Sequence, residues 1–406
     1  MNKNLIFAEK LLTIAFLMIY SGTPLDPFVT DGFTLKDGDR GIFRLLFIST
    51  YLVSLFLISL RWKKVTYVFS RDKFIWLLLG VCALSSFWSF DSDTTIRRVF
   101  GLAGTMVFGL YFASRYTLKE QLKLCAYMFG ISAVVCVLFV LLIPHLGIAE
   151  DGSWKGIYPQ KNILGKRFGL SGAIFFFLAM TNRENRWVLW LGYVTSAILV
   201  LFSKSTTSVL NLIILTLAFF VYDRVLRLNY RIMMPVLTFI STVSIVLYTV
   251  FVTSADKILG SIGKDTTLTG RSEIWPVVLE LIAKKPWLGY GYGAFWLDDN
   301  SDVVTLREAL QWDAPNSHNG FLDVCLGIGL LGILVFTVGF VTNWLRAVYS
   351  IRSNPTSETN VWLLIYFTFV IISNLTETTM LEQNSIEWVL YVSTILSSKV
   401  SPRANL

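Results

Sequence analysis

Residues 320–344 read GFLDVCLGIGLLGILVFTVGFVTNW, apolar almost throughout, with Asp323 as the lone charged side chain. A helix needs about 20 predominantly apolar residues to cross a bilayer, so this segment has the length and composition of a membrane span. Its apolar positions are continuous and do not alternate, which argues against the strand of a transmembrane barrel. Similar segments recur at 5–20, 41–60, 74–90, 98–114, 124–146, 167–181, 187–203, 208–222, 232–254, 361–376 and 386–398. The whole chain, 406 residues, is 54% hydrophobic and only 15% charged, against about 25% charged in a soluble domain. The expectation is an all-α, polytopic helical membrane protein of about 12 transmembrane helices. The first apolar run lacks a small-residue cleavage site and is followed by Pro24 and Pro27; it reads as a span and not as a signal peptide.

The formal charge is +8. With the N-terminus in the cytoplasm, alternate loops gather Arg61, Lys63 and Lys64, then Arg224, Arg227 and Arg231, then Arg346 and Arg352, and finally Lys399 and Arg403. Cations concentrate on the cytoplasmic side of membrane proteins. The basic balance is therefore a topology signal, and no nucleic-acid partner is implied. Both termini fall in the cytoplasm, and the long polar insertion falls outside. The chain divides into 1–254, a bundle of nine spans; 255–319, an external (periplasmic-side) loop region with short helices; and 320–406, the last three spans. Cys82, Cys125, Cys136 and Cys325 all sit in apolar runs, where Cys acts as a small packing residue. They suggest neither a disulfide framework nor a metal site.

The external side carries the chemistry. Arg97, Arg98, Lys155, Lys161, Lys166, Arg167, Lys204 and Arg271 lie there or at external span ends. A cation at the membrane edge is either functional or snorkels to headgroups; as a set, these suit a phosphorylated ligand. Lys155 to Arg167 is a basic, Gly-containing loop entering a span, a setting that suits an anion. Ser203-Lys204-Ser205-Thr206-Thr207-Ser208 is a hydroxyl-rich turn that either caps the next helix or binds a ligand. Gly270-Arg271-Ser272-Glu273-Ile274-Trp275-Pro276 opens an external helix, with Ser272 as its expected N-cap and Arg271 just before it. Of two histidines, His145 has no polar company, whereas His318 stands among Asn316, Ser317 and Asn319 at the exit of the insertion. Histidine is the side chain best suited to move a proton near neutrality. Asp323 is placed to orient it. Glu377, Glu382 and Glu387 flank the last external turn, where they either pair with the external arginines or hold sugar hydroxyls. Asp298-Asp299 has no His or Cys company to complete a metal site.

These residues resemble the superfamily of O-antigen ligases and O-antigen or exopolysaccharide polymerases. His318-Asn319, then nine intervening residues and Gly329-Leu330-Leu331-Gly332, is similar to the family's His-Asn…Gly-x-x-Gly pattern. Gly270-Arg271, Ile274-Trp275 and Pro286-Trp287-Leu288-Gly289-Tyr290-Gly291 resemble its external segment. Where ligases often continue with Thr-Thr, this chain has Ile333 and Leu334. That departure, with Lys161-Asn162 and the late Glu377…Asn384…Trp388, favours the polymerase branch.

The resemblance implies an inverting, metal-independent glycosyltransferase with no cofactor. Its donor would be a glycan on undecaprenyl pyrophosphate, and its acceptor a second lipid-linked unit. Membrane lipids, a chain-length regulator and a flippase are the further candidate partners. A pyrophosphate leaving group calls for external cations: Arg271 first, then Arg167, Lys161, Arg97 and Lys204. An acceptor hydroxyl calls for a base, which is His318, with Asn316, Asn319, Asp323 and Glu377 holding substrate or orienting the base. An O-antigen ligase using lipid A-core as acceptor is the nearest alternative. A flippase of lipid-linked oligosaccharides is the alternative from another class, although two similar halves, common in transporters, are not evident.

Overall fold

The fold is that of a computed structural model, which describes residues 3–22, 37–239, 242, 271–311, 313–354 and 358–398, and of 37–40, 42, 271 and 272 the backbone alone. Among these residues the protein is helical, with one isolated bridge between Ile148 and Trp154. The main helices are α1 (Lys3–Tyr20), α2 (Asp37–Ser59), α3 (Trp62–Phe69), α4 (Lys73–Leu84), α5 (Ser92–Arg115), α6 (Leu118–Leu142), α7 (Lys161–Thr181), α8 (Arg186–Phe202), α9 (Thr206–Asp223), α10 (Arg271–Lys284), α11 (Ser301–Leu310), α12 (Gly320–Ser353), α13 (Glu358–Asn374) and α14 (Ile386–Ser398).

Each expected span coincides with one of these helices except 232–254, most of which lies outside the described residues. Five described helices are long and apolar enough to cross a membrane: α5, α6, α7, α9 with its short extension, and α12. A sixth arises if the pair Phe43–Ser59 and Trp62–Phe69, bent by 106°, counts as one broken span. The protein is a multi-pass membrane protein. The expected count of about twelve exceeds these five or six: α4, α8 and α14 are apolar but short, α1 and α13 are not among the helices long and apolar enough, and most of 232–254 lies outside the described residues.

Local chemistry sets the helix starts. Asp72 accepts from the backbone N–H groups of Phe74 and Ile75 at the head of α4, and Asp91 accepts from Thr94 at the head of α5. Thr117 and Glu120 form a reciprocal capping box on α6. Such caps satisfy donors that the helix itself leaves free. The expected cap Ser272 is not one: α10 begins at Arg271, so Ser272 lies inside its first turn and Pro276 inside the helix. The helix starts one residue earlier than the polar residue suggests.

The bundle centres on α5, whose Leu102, Met106, Phe108 and Phe112 are fully buried together with Trp362 and Trp388 of α13 and α14. At one end of the bundle Glu9 meets Arg61 at 2.9 Å and Arg115 at 3.0 Å. At the other, Asp151, Lys161 and Lys204 converge. The alternation of charged loops assigns each set to one side, and the fold brings each set together.

α12 is broken. Ile328 has φ −131° and ψ 15°, and Gly329 has φ 64° and ψ −168°, a region essentially reserved for glycine. The Pro286–Gly291 loop fills the break. Leu330 N–H donates to the Pro286 carbonyl (2.8 Å) and Leu331 N–H to that of Trp287 (3.2 Å). Tyr290 N–H donates to Leu326 (2.7 Å) and Gly291 N–H to Gly327 (2.9 Å). Irregular backbone at membrane depth is tolerated only where protein satisfies its polar groups, and here a loop does so bond by bond. A Cβ on Gly329 would lie 2.3 Å from the Trp287 backbone. The two motifs Pro286–Gly291 and Gly329–Gly332 are thus two sides of one joint. Above it, α10 and α11 close a small apolar core of Ile274, Val278, Leu281, Tyr290, Phe295, Val303 and Leu306 that also takes in Leu326.

Candidate functional site

The site begins at the loop feeding α12. His318 has φ 51°, a left-handed conformation uncommon for any residue but glycine, and the loop is tied on several sides to hold it. Its N–H donates to Asn316 Oδ1 at 2.9 Å. The Ser317 hydroxyl donates to the Asn319 carbonyl (2.8 Å), and Trp275 Nε1 donates to the Ser317 carbonyl (3.0 Å). Asn319 Oδ1 caps α12 by accepting from Phe321 and Leu322. Asp323 accepts from Ser317 N–H (3.2 Å), from Trp296 Nε1 (2.9 Å) and from the Thr378 hydroxyl. Asp323 therefore acts on the loop backbone, and Glu377 is the acid beside the ring: its Oε2 lies 3.7 Å from His318 Nδ1. Both side chains are about one-fifth exposed, at 22% each, so the imidazole is reachable from outside.

The cations fall into distinct settings. Arg167 is buried and ion-paired with buried Glu387, with Lys166 4.0 Å from the same carboxylate. Lys161 donates to Asp151 Oδ2 and Lys204 Nζ to the Asp151 carbonyl (2.8 Å). Lys161 and Ser153, both bonded to Asp151, hold its carboxyl well below the usual carboxylate range. Arg97 is exposed and donates to the Thr94 hydroxyl at 2.8 Å. Arg271 opens α10, and its side chain lies outside what is described. Lys166 reaches a small polar pocket of about 10 Å³, lined also by Ser205, Ser208, Asn211 and Glu377. Lys166 and the Ser205–Ser208 turn, far from His318 in the chain, thus share a pocket with Glu377, the acid beside the histidine.

A second cavity, of about 410 Å³, opens beside the histidine loop, within the range of small-molecule sites. Asn316, Asp323 and Thr378 line it, as do Arg98, Tyr292, Trp296, Glu382 and Gln383. Sequence reasoning set Arg98 beside Arg97 and chose Arg97. Helix phase distinguishes them: Arg98 follows buried Thr95 by three residues and precedes buried Leu102 by four, whereas Arg97 is flanked by exposed Ile96 and lies three residues before exposed Phe100. Residues three and four apart share a helix face. Glu382 lines the cavity as an exposed residue, and desolvation by the protein packed around it raises its carboxyl above the usual range. Burial likewise pushes up the phenol of Tyr292. Among the described residues no group of three or more His, Cys, Asp or Glu side chains is gathered as a metal site would need.

A multi-pass helical membrane protein with a reachable histidine beside a glutamate that lines a small polar pocket, and with a polar cavity next to the histidine loop, is the class that this geometry defines. A family model described as O-antigen ligase matches residues 191–337, which run from α8 through the histidine loop and the break in α12. The chain is also similar to the exopolysaccharide production protein ExoQ of Rhizobium meliloti (strain 1021), 25% identical over 299 residues, 70% of this chain and 67% of that protein. Both matches support a relationship to the O-antigen ligase and polymerase superfamily.

Proposed function

We propose that the protein is a membrane glycosyltransferase that polymerises lipid-linked oligosaccharide repeat units into a surface polysaccharide. The observation that carries this reading is the placement of His318. Its ring is reachable, Glu377 lies beside Nδ1, and the loop holds the residue in a conformation that the backbone alone disfavours. A carboxylate at Nδ1 leaves Nε2 to accept a proton and stabilises the imidazolium that results. In the reaction an acceptor hydroxyl attacks the anomeric carbon, its proton passes to His318, and the bond to the carrier pyrophosphate breaks with inversion. Arg271 and the lysines Lys161, Lys166 and Lys204 offset the charge that develops on the leaving group. Arg167 acts through Glu387, holding α7 to α14, and Arg97 stands at the rim. Asn316, Asn319 and Asp323 fix the loop. Similarity to an exopolysaccharide production protein supports polymer synthesis. The same reading keeps about twelve spans, both termini in the cytoplasm and residues 255–319 outside.

The description of the matching family model, O-antigen ligase, favours one second reading, transfer of the glycan to lipid A-core. An assay separates the two: purified protein, an undecaprenyl-pyrophosphate-linked repeat unit and EDTA, with and without lipid A-core. A ladder of lengthening lipid-linked glycan without lipid A-core supports the polymerase. Product only when lipid A-core is present means a ligase. No product with either acceptor, from folded protein, rejects both.

A further inference from the structure

The cavity of about 410 Å³ contains side chains that the reaction above does not use. Arg98, Glu382 and Gln383 line it, and among the described residues none of the three side chains makes a hydrogen bond or an ion pair. Arg98 and Gln383 are half-buried and Glu382 is exposed, so all three present polar atoms to one accessible space. The backbone that presents them is over-determined. Leu381 has φ 55° and Asn384 φ 60°, an unusual conformation for a bulky residue such as leucine. The Leu381 carbonyl accepts from the Tyr292 hydroxyl, Asn384 N–H donates to Thr105 (2.8 Å), and Asn384 Oδ1 accepts from Tyr51. Strain fixed in this way clusters at ligand sites. On the opposite wall Gly293, with φ 70°, leaves space for Arg98: a Cβ there would lie 2.4 Å from Arg98 Cδ.

We propose that this cavity is the acceptor-sugar subsite, in which Arg98, Glu382 and Gln383 read the hydroxyls of one pyranose ring against a wall of Tyr292, Phe295 and Trp296. The inference rests on the glycosyl-transfer reading. Guanidinium, carboxyl and carboxamide together supply donors and acceptors, the mixture that a run of neighbouring hydroxyls needs. Their opposite charges suit a neutral ring better than an anion. Aromatic side chains offer the apolar face of a sugar a surface to lie on. The neighbours Glu377 and Thr378 face different pockets, Glu377 that of Lys166 and Thr378 this cavity. Glu377, beside His318, and Thr378, its neighbour in the chain, thus face two different spaces, and the cavity on the Thr378 side is the one with room for a sugar ring.

The test uses the full chain in lipid nanodiscs. The probes are methyl β-D-glucopyranoside, methyl β-D-galactopyranoside, the host's delipidated repeat unit and inorganic pyrophosphate. Saturation-transfer NMR reads binding, and the melting temperature checks the fold of each variant. The expected result is sugar binding that weakens about tenfold or more in Arg98→Ala and Gln383→Ala, less in Arg98→Lys, while pyrophosphate binding is unchanged. Sugar binding that survives Arg98→Ala, loss of pyrophosphate binding instead, or no binding of any sugar probe by the parent overturns the proposal. The transfer assay, run in parallel, distinguishes its failure from that of the catalytic reading. A parent that makes a ladder, with Arg98→Ala equal to it in acceptor KM, overturns the subsite and leaves the enzyme. A parent that makes no ladder but binds sugar through Arg98 and Gln383 leaves the subsite and overturns the enzyme.

Discussion

Arg167 and Arg98 are both arginines near the candidate site, yet they occupy opposite situations. Arg167 is buried against Glu387, whereas Arg98 lines a cavity and, among the described residues, has no hydrogen bond or ion pair. The same contrast separates Lys161, tied to Asp151, from Glu382, which faces the cavity without a counter-ion within salt-bridge distance. A cation already matched within the protein holds the protein together. One left unmatched in an enclosed space is available to a ligand. Residue type alone does not separate the two.

The contrast is sharpened most strongly at Glu387. Replacing it by Ala leaves the Arg167 guanidinium buried and unpaired, which typically costs about 3–5 kcal/mol. A large fall in melting temperature in detergent is expected, together with loss of transfer. An unchanged melting temperature would show that Arg167 is freer than its burial indicates. Next in size is Gly329→Ala. A side chain there meets the Trp287 backbone and adopts a conformation that costs about 1–3 kcal/mol for residues other than glycine. The joint should loosen, and hydrogen exchange at Tyr290, Gly291, Leu330 and Leu331 should accelerate together. Exchange that rises on only one side of the joint would mean the two segments do not support each other.

A smaller effect is expected at Gly293→Ala, which crowds Arg98. Acceptor KM should rise about as much as in Arg98→Ala, with the donor KM unmoved. Equal changes in both constants would point to general disorder of the site. The smallest effect belongs to Asp151→Asn. The Lys161–Asp151 pair is exposed, and such pairs are worth about 0–1 kcal/mol. Because the folded carboxyl lies below its ordinary range, its contribution is present above that range and is lost as pH falls. The parent should therefore lose its small advantage over Asp151→Asn on acidification. A difference that grows as pH falls would reverse the sign of this account.

Much of the fold was legible because a spanning helix is written in composition: continuous apolar runs located helices that the structure contains. The break at Gly329 was not legible as a break. Its sequence looks like an uninterrupted span, and only the Pro286–Gly291 loop, distant in the chain, reveals what the glycine is for. At the site, His318 stands out in the sequence by its polar company, and of the alternatives for the late acids the pairing with an arginine is seen at Glu387, which meets Arg167, while Glu382 faces the cavity. Arg98 was within reach of the sequence, since helix phase sets it on the face of Thr95 and Leu102. Glu382 and Gln383 were harder, because left-handed turns at Leu381 and Asn384 aim them, and no periodicity anticipates such turns.

The most direct measurement is the rate of glycan transfer by His318→Ala beside the parent, on the same lipid-linked repeat unit and at matched melting temperature. A general base typically contributes about 10²–10⁴-fold, so the account predicts a fall of that size with donor binding retained. A variant that extends the ladder at the parental rate would contradict it.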